Sequence, residues 1–185
     1  NDIDQAVDKI SKSKIFLTQL EAPVEVVEYA LEKAKLQNVL TILNPAPAVK
    51  LNNKIFSFID YFTPNETEAS YYVNHKIETE KDAKHASIQL LDKGIKNIII
   101  TLGEKGAYFA NKSESFMIDA LDMKDKVVDT TGAGDAFNAG LAVALTEEKN
   151  HKEAIQFANV VGALSTTKIG TAKSMPLRSE IDKLL

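Results

Sequence analysis

Blocks of apolar residues along the chain predict strands that are separated by helices. Between the apolar runs, hydrophobic residues recur at the helical spacing i, i+3, i+4 and i+7, as at Val27, Ala30, Leu31 and Ala34. The runs that predict strands are residues 14–20, 38–43, 55–62 and 97–102. Because near-continuous apolar strands joined by helices are typical of buried parallel strands, we predict an α/β fold. Its mostly parallel sheet is expected to be flanked by helices on both faces.

The rest of the pattern predicts further helices and one hairpin. The helices are expected at residues 66–73, 78–93 and 151–167, with a short terminal helix, and the hairpin at 107–118. Gly94 stands where the second of these helices should end. Since no repeat or linker divides the sequence, we predict a single domain over residues 1–185. Ligands of such sheets bind beyond the carboxyl ends of the strands.

The stretch from Lys126 to Leu145 predicts a short strand, a glycine turn and a buried helix. A helix that begins in this turn leaves its first N–H groups without helical partners, and such an end binds anions. Gly132 and Gly134 let a phosphate approach the backbone. Asp135, the one acid in the turn, could accept a proton from an attacking hydroxyl. The alternative interpretation is a plain turn with an acidic residue in the first helical turn.

Composition limits the classes of function. The chain has 185 residues, of which 44% are hydrophobic and 26% charged, and these proportions are typical of a soluble globular domain. A formal charge of -4 argues against a nucleic-acid surface, and no apolar run has the length of a membrane span. Cysteine is absent, which suits a cytoplasmic location. The first residues, Asn-Asp-Ile-Asp, include no Met, so we expect the chain to start within a longer protein.

The residues Asp-Thr-Thr-Gly-Ala-Gly-Asp-Ala-Phe-Asn-Ala-Gly at 129–140 resemble a known family signature. This is the C-terminal signature of the ribokinase-like (PfkB-type) sugar kinases. The resemblance implies an anion hole for the transferred phosphoryl group, formed by the N–H groups of Gly132, Ala133 and Gly134. It also implies that Asp135 is the catalytic base and contacts the sugar.

The segment Thr63-Pro-Asn-Glu-Thr-Glu-Ala69 has two interpretations. By spacing alone, Asn65 and Glu68 form a helix capping box. The segment is also similar to the family's Asn-x-x-Glu motif, which implies that Asn65 contacts the nucleotide and Glu68 holds Mg²⁺. Both roles can coexist, since the cap points Asn65 at the site.

The nucleotide-binding residues are carried over from the same resemblance. A strand followed by a glycine turn is most often a plain turn, and a lone amide in an apolar helix is most often a core hydrogen bond. The family nevertheless places ATP against residues that correspond to Asn65, Thr101, Leu102, Gly103, Glu104, Lys105, Gly106, Gly134 and Asn159. A glutamate that touches the sugar in the family corresponds to Glu21.

A monovalent-cation site is the last feature that the resemblance implies. Its ligands in the family are mainly carbonyl oxygens, so the side chains are weak indicators. The corresponding residues are Asp129, Thr131, Ser165, Lys168, Gly170 and Ser174. We expect K⁺ there.

The expected activity is ATP-dependent phosphorylation of the primary hydroxyl of a pentose, D-ribose being converted to ribose 5-phosphate, with Mg²⁺ and K⁺ as cofactors. The alternatives are another sugar or nucleoside kinase of the family and a truncated nucleotide-binding fragment without catalysis. The resemblance covers only the family's C-terminal portion, without the first strands and the lid. We therefore expect the isolated chain to be inactive and the complete enzyme to be a homodimer that binds ATP and a small sugar.

Overall fold

The computed structural model describes residues 2–185, apart from the side chain of Lys124. Its main feature is a six-stranded sheet in which the strands follow each other in chain order. The strands are β1 (Ile15–Thr18), β2 (Leu40–Leu43), β3 (Tyr61–Phe62), β4 (Asn97–Thr101), β5 (Ala107–Ala110) and β6 (Ser115–Ile118). The pairs β1–β2, β2–β3 and β3–β4 are parallel, so the predicted α/β fold with a mostly parallel sheet is confirmed.

Seven α-helices accompany the sheet in the described part of the chain. They are α1 (Asp2–Ser11), α2 (Val24–Leu36), α3 (Glu66–Val73), α4 (Glu80–Leu91), α5 (Ala133–Thr146), α6 (His151–Ser165) and α7 (Arg178–Ile181). None of the helices within residues 2–185 is both long and apolar enough to cross a lipid bilayer.

The chain groups into two compact units. The first unit comprises Asn1–Thr101 and Tyr108–Phe116, and the second comprises Leu102–Ala107 and Met117–Leu185. The first contains β1 to β4 with α1 to α4, and the second contains α5, α6 and α7. A single domain over residues 1–185 stays a prediction.

The hydrophobic pattern explains why the first unit packs as it does. The predicted stripe of α2, Val27, Ala30, Leu31 and Ala34, is buried. All three isoleucines at 98–100 in β4 are fully buried, so both faces of this strand are covered. Gly94 takes a φ of +102° just after α4, the left-handed conformation of a helix C-cap.

A polar cluster lies where β3 begins. The carboxylate of Asp60 accepts hydrogen bonds from the Thr41 N–H, at 3.1 Å, and from the Thr41 hydroxyl, at 3.2 Å. Lys35 forms an ion pair with it, and Lys96 forms a second at 2.9 Å. Burial alone would raise the pKa of Asp60, but the hydrogen bonds from Lys35, Lys96 and Thr41 outweigh it and lower that pKa. Asp60 therefore stabilises this end of the sheet as an anion.

Two predicted strands are wrong, and one helix was not predicted. In place of a strand over 55–62, a 3₁₀ helix spans Asn53–Phe58 and β3 has only two residues. The side chain of Asn52 caps this 3₁₀ helix by accepting the Lys54 N–H at 3.2 Å, a local contact that the apolar run after it does not indicate. Residues 127–129 form no strand, because the N–H groups of Val128 and Asp129 both donate to the Thr166 carbonyl, at 2.8 and 3.1 Å, and not to a neighbouring strand. Helix α1 precedes the first element that we predicted.

Candidate active site

The glycine turn before α5 has the conformation that its sequence predicts. Gly132 is the N-cap of this helix and takes a φ of +78°, in the left-handed region. A Cβ atom at Gly132 would lie 3.0 Å from Cγ2 of Thr171, so this position also lacks room for a side chain. The first helical hydrogen bond runs from the Ala136 N–H to the Gly132 carbonyl at 2.9 Å. Glycine is therefore required here for the chain to enter the helix.

The N–H groups of this turn are not equivalent. The Ala133 N–H donates to the Thr130 carbonyl at 3.2 Å, which differs from the expectation that it faces an anion. Within residues 2–185, the N–H groups of Gly132 and Gly134 have no backbone acceptor. Gly134 is exposed, and a Cβ atom at Gly134 would meet nothing within 4 Å. The open side of the turn is therefore at Gly134.

Asp135 lies in the first turn of α5 and is exposed. The next three residues, Ala136, Phe137 and Asn138, are buried. The carboxylate therefore stands at the point where the helix leaves solvent. It is beside the open glycine and outside the hydrophobic interior, as a proton acceptor for an external hydroxyl needs to be.

Asp129 holds two loops of the second unit together. One carboxylate oxygen accepts the Thr131 N–H at 2.9 Å, and the other accepts the Gly170 N–H at 3.0 Å. These hydrogen bonds, that from Gly170 first, lower the pKa of Asp129. Three of the residues expected at the monovalent-cation site are thus brought together, although the Asp129 carboxylate serves here as a clamp.

The other three residues expected at this site use their side chains elsewhere. The hydroxyls of Ser165 and Ser174 donate to main-chain carbonyls three residues earlier, at 2.7 and 2.6 Å. The ammonium group of Lys168 pairs with Glu180 at 3.1 Å. The main-chain carbonyls of these residues stay the candidate ligands that the family resemblance implies. Among the described residues, no cluster of three or more His, Cys, Asp or Glu side chains could hold a metal ion.

In the first unit, the Asn65 and Glu68 pair forms the predicted capping box at the start of α3. The Asn65 side chain accepts the Glu68 N–H at 2.8 Å, and Oε2 of Glu68 accepts the Asn65 N–H at 2.9 Å. Burial raises the pKa of Glu68, against the effect of that hydrogen bond. Thr101 lies beside Asn65 in a parallel bridge, and its N–H donates to the Pro64 carbonyl at 3.0 Å. These residues meet at the carboxyl ends of β3 and β4.

Glu21 follows the carboxyl end of β1 and is exposed. Its neighbour Leu20 is buried and donates its N–H to the Ala46 carbonyl at 2.9 Å. Because parallel strands end at the same edge of a sheet, Glu21 lies on the edge that also carries Asn65 and Thr101.

The loop at 102–106 contains a short 3₁₀ helix, Gly103–Lys105. The three residues of this helix, including Glu104, are exposed, and Leu102 donates its N–H to the Gly106 carbonyl at 2.8 Å. Gly106 has a φ of +108°, and a Cβ atom there would lie 2.0 Å from the Ile118 carbonyl oxygen. The loop is therefore packed closely against the residues that follow β6.

Asn159 on α6 holds the same segment. Its side-chain amide donates to the carbonyls of Ile118 and Asp119, at 3.3 and 3.2 Å. This confirms the interpretation of Asn159 as a structural amide, because its donors serve the backbone. A contact between this residue and the nucleotide stays a prediction.

Asn138 has a contact at the glycine turn that we did not predict. It is 4% exposed, and its amide donates to the Gly134 carbonyl at 2.9 Å. The available signal was a single amide within an otherwise apolar helix, where a buried polar group needs a partner.

Comparison with known proteins gives consistent results. The family model described as pfkB family carbohydrate kinase matches residues 4–178. A ribokinase of Haemophilus influenzae is 42% identical over 96% of this chain and 58% of its own length. A deoxyribokinase of Salmonella typhi is 34% identical over 100% of this chain and 60% of its own length.

A solved structure agrees with these relatives. The ribokinase of Arabidopsis thaliana, solved in complex with ribose and ATP, is 31% identical and superposes with a TM-score of 0.93. The superposition covers 98% of this chain and 58% of that one. The chain thus spans about three fifths of the length of the relatives it matches.

Proposed function

Because the chain belongs to the pfkB family of carbohydrate kinases, we propose that it forms the nucleotide-binding and catalytic part of an ATP-dependent sugar kinase. The reaction transfers the γ-phosphoryl group of ATP to the primary hydroxyl of a pentose, and D-ribose becomes ribose 5-phosphate. The observation that carries the proposal is the exposed Asp135 carboxylate beside the open face of Gly134.

Each group at the glycine turn has a role in this reaction. Asp135 accepts the proton of the sugar hydroxyl, whose oxygen forms the new bond to phosphorus while ADP leaves. The N–H groups of Gly132 and Gly134 face charge that builds up on the phosphoryl oxygens, and the positive end of the α5 dipole adds to them. The Ala133 N–H joins them if the bound nucleotide displaces the Thr130 carbonyl. Phosphoryl transfer needs little more than such positioning and charge stabilisation.

Mg²⁺ fits the residues at the start of α3. One oxygen of Glu68 accepts the Asn65 N–H, which fixes the carboxylate and leaves its second oxygen for a water of the ion's hydration shell. Mg²⁺ keeps several waters and binds through one or two carboxylates together with substrate phosphates. When bound with the nucleotide, it neutralises phosphate charge. We propose that Asn65 orients this carboxylate and that Thr101, next to it, contacts the nucleotide.

K⁺ fits the loops that Asp129 joins. Carbonyl and carboxylate oxygens are suitable ligands for a hard cation, and the Asp129 clamp holds Thr131 and Gly170 near each other. The main-chain carbonyls of Ser165, Lys168 and Ser174 complete the proposed set. Bound there, the cation adds positive charge to loops that lead into the glycine turn.

The sugar and the assembly are further parts of the proposal. Relatives named ribokinase and deoxyribokinase both match this chain. The sugars in these two names, ribose and deoxyribose, differ in the 2-hydroxyl group. We propose that ribose is the preferred substrate and that Glu21 contacts the sugar. We also propose that the complete enzyme works as a homodimer in the cytoplasm and that residues 1–185 alone are inactive.

A substrate panel tests this function. The full-length gene product is assayed for ADP formation with ATP, Mg²⁺ and K⁺ in the presence of ribose, 2-deoxyribose, fructose or adenosine. The proposal expects the highest kcat/KM with ribose. A higher value with another substrate would assign another kinase of the same family. ATP binding without turnover of any of them would indicate a nucleotide-binding protein without kinase activity.

A further inference from the structure

Asn44 directly follows the last residue of β2, at the carboxyl edge of the sheet. Its own N–H donates to the Thr18 carbonyl of β1 at 3.0 Å. On the other side, the Thr63 N–H, just after β3, donates to the carbonyl of the preceding residue, Leu43, at 3.1 Å. The backbone that carries Asn44 is therefore held by both neighbouring strands, which gives its side chain a defined position.

The side-chain amide of Asn44 is nearly buried, yet within residues 2–185 it makes no hydrogen bond. The residue is 6% exposed. In the described part of the chain, no side-chain nitrogen or oxygen of a buried or half-buried residue is both fully shielded from solvent and without a hydrogen-bond partner. Because the amide of Asn44 has no partner, both of its polar atoms must reach the surface. The small exposed part of this residue therefore includes its hydrogen-bonding groups.

This amide is an exception among the buried polar side chains that the structure describes. The others all make a side-chain hydrogen bond to another group of the protein; they are Thr41, Asp60, Thr63, Ser87, Asn138, Ser165, Thr166 and Ser174. Burial of an amide is costly unless it has hydrogen-bond partners. An amide that is held in place, almost buried and open only at its polar end indicates a ligand that supplies those partners.

The order of the strands indicates which part of a ligand Asn44 would meet. Glu21 follows β1, Asn44 follows β2 and Asn65 follows β3, and these strands are neighbours in that order. Asn44 thus lies between the proposed sugar contact and the proposed nucleotide contact. In the proposed reaction, the group that passes from nucleotide to sugar is the γ-phosphoryl group. Its oxygens accept hydrogen bonds, and the NH₂ group of an asparagine has two donors.

The charges at this edge of the sheet make a neutral donor suitable. Glu21 and Glu68 are both carboxylates of this edge, and negative charge repels a phosphate. A lysine at position 44 could be drawn into an ion pair with either of them. An amide carries no net charge and can donate to the phosphate without such competition.

We propose that Asn44 is a phosphate-binding residue, whose side-chain NH₂ group donates directly to the γ-phosphate oxygens of ATP. This inference rests on the proposed function, in which ATP binds at this edge of the sheet.

Two substitutions at position 44 and one control separate a ligand contact from a structural role. Asn44→Leu keeps approximately the volume but removes the donors, and Asn44→Asp keeps the size but replaces the donors by a negative charge. Asn97→Leu is the matched control, because the Asn97 amide has protein partners. It donates to the Asp60 carbonyl at 3.0 Å and accepts from the Asn111 amide at 3.3 Å.

The measurement is equilibrium binding of ATP and of ADP, each with Mg²⁺, to the full-length gene product by titration calorimetry. We expect Asn44→Leu to weaken ATP binding at least about tenfold, because a hydrogen bond to a charged group is lost. ADP binding should stay within about threefold, since ADP has no γ-phosphate. Asn44→Asp should weaken ATP binding more than Asn44→Leu does, and Asn97→Leu should leave both affinities unchanged.

Thermal unfolding of the same variants gives a second, independent result. Asn44→Leu should keep or raise the melting temperature, because no hydrogen bond within the protein is lost and an apolar group replaces the amide. Asn97→Leu should lower it. A melting temperature of Asn44→Leu that falls as far as that of the control would show a structural amide and overturn the proposal.

Three binding results would also overturn it. Equal losses for ATP and ADP would mean that Asn44 does not contact the γ-phosphate. Normal ATP binding by Asn44→Asp would mean that residue 44 accepts from the hydration shell of Mg²⁺ and does not donate to phosphate. Normal ATP binding by Asn44→Leu in a protein that phosphorylates sugar would refute this inference alone, whereas an unmodified protein that binds no ATP would refute the proposed function together with it.

Discussion

Replacing Gly134 by alanine should stabilise the protein and impair its function. In the structure, Gly134 lies in α5 without a positive φ, and an added Cβ would meet nothing within 4 Å. Alanine is favoured over glycine in helices by about 0.8–1.0 kcal/mol, and less near a helix end. We therefore expect a gain of about 0.5 kcal/mol. For a chain of this size the melting temperature should rise by about 1–2 °C.

Function should change in the opposite direction. The added methyl group would occupy the open space from which a phosphate is expected to approach the backbone. We expect turnover by the full-length gene product to fall at least about tenfold, since one donor of an anion hole is worth about that much or more. Urea denaturation measures the first effect, and a coupled assay for ADP formation measures the second.

Gly140→Ala in the same helix is the matched control. A Cβ atom there would lie 2.9 Å from both Cβ and Cγ2 of Val161 on α6, closer than real Cβ contacts. Overpacking of this kind costs about 1–3 kcal/mol, of which the helix preference for alanine offsets up to about 1. We expect a net loss of about 1 kcal/mol. If Gly134→Ala lost stability as well, or kept full turnover, our account of an open, ligand-facing glycine would be refuted.

Three other predictions follow from the same structure. Asp60→Asn should lower the free energy of unfolding by about 2 kcal/mol at pH 7, because it removes the anion that pairs with Lys35 and Lys96. Since the pKa of Asp60 is lowered in the folded state, its contribution is present above the unfolded pKa of about 3.9 and is lost as pH falls through the folded pKa. Urea titrations between about pH 2 and pH 7 should therefore show a shallower acid loss in the variant, and parallel curves would contradict this. Gly106→Ala should lower the free energy of unfolding by more than about 3 kcal/mol, because its Cβ would lie 2.0 Å from a main-chain carbonyl oxygen. Gly103→Ala, which has open space and only a positive φ of +56°, should lower it by about 1 kcal/mol in the same denaturation measurement. Equal losses in the two variants would contradict the described loop packing. Turnover in potassium buffer should exceed turnover in sodium buffer at equal ionic strength, and identical rates would remove the proposed monovalent-cation site.

Much of the fold was predictable because buried strands and capped helices leave local signals. The isoleucines of β4 and the Asn65 capping box each depend on a few neighbouring residues, and both are found as predicted. The strand predicted over 55–62 was wrong because a 3₁₀ helix, here at residues 53–58, and a strand can both bury a short apolar run. The segment at 127–129 looked like a strand, but the N–H groups of Val128 and Asp129 both donate to the Thr166 carbonyl, a distant partner that no local pattern indicates.

In the candidate site, too, some features were predictable from the local sequence and others depend on distant contacts. The left-handed turn at Gly132 follows from glycine chemistry, and the exposure of Asp135 follows from its place at the helix start. The Asp129 clamp on Gly170 and the Asn138 contact with Gly134 depend on side-chain geometry, which spacing does not specify. Residues carried over from a resemblance stay predictions until a ligand is seen bound.

The most direct test of the central claim is the turnover number of Asp135→Asn in the full-length gene product, measured with saturating ATP and ribose. The amide keeps the size of the side chain but cannot act as the proton acceptor. Our account predicts a kcat at least about a hundredfold lower, with KM for ATP within about threefold of the unmodified value. A kcat close to that of the unmodified protein would contradict the assignment of Asp135 as the base.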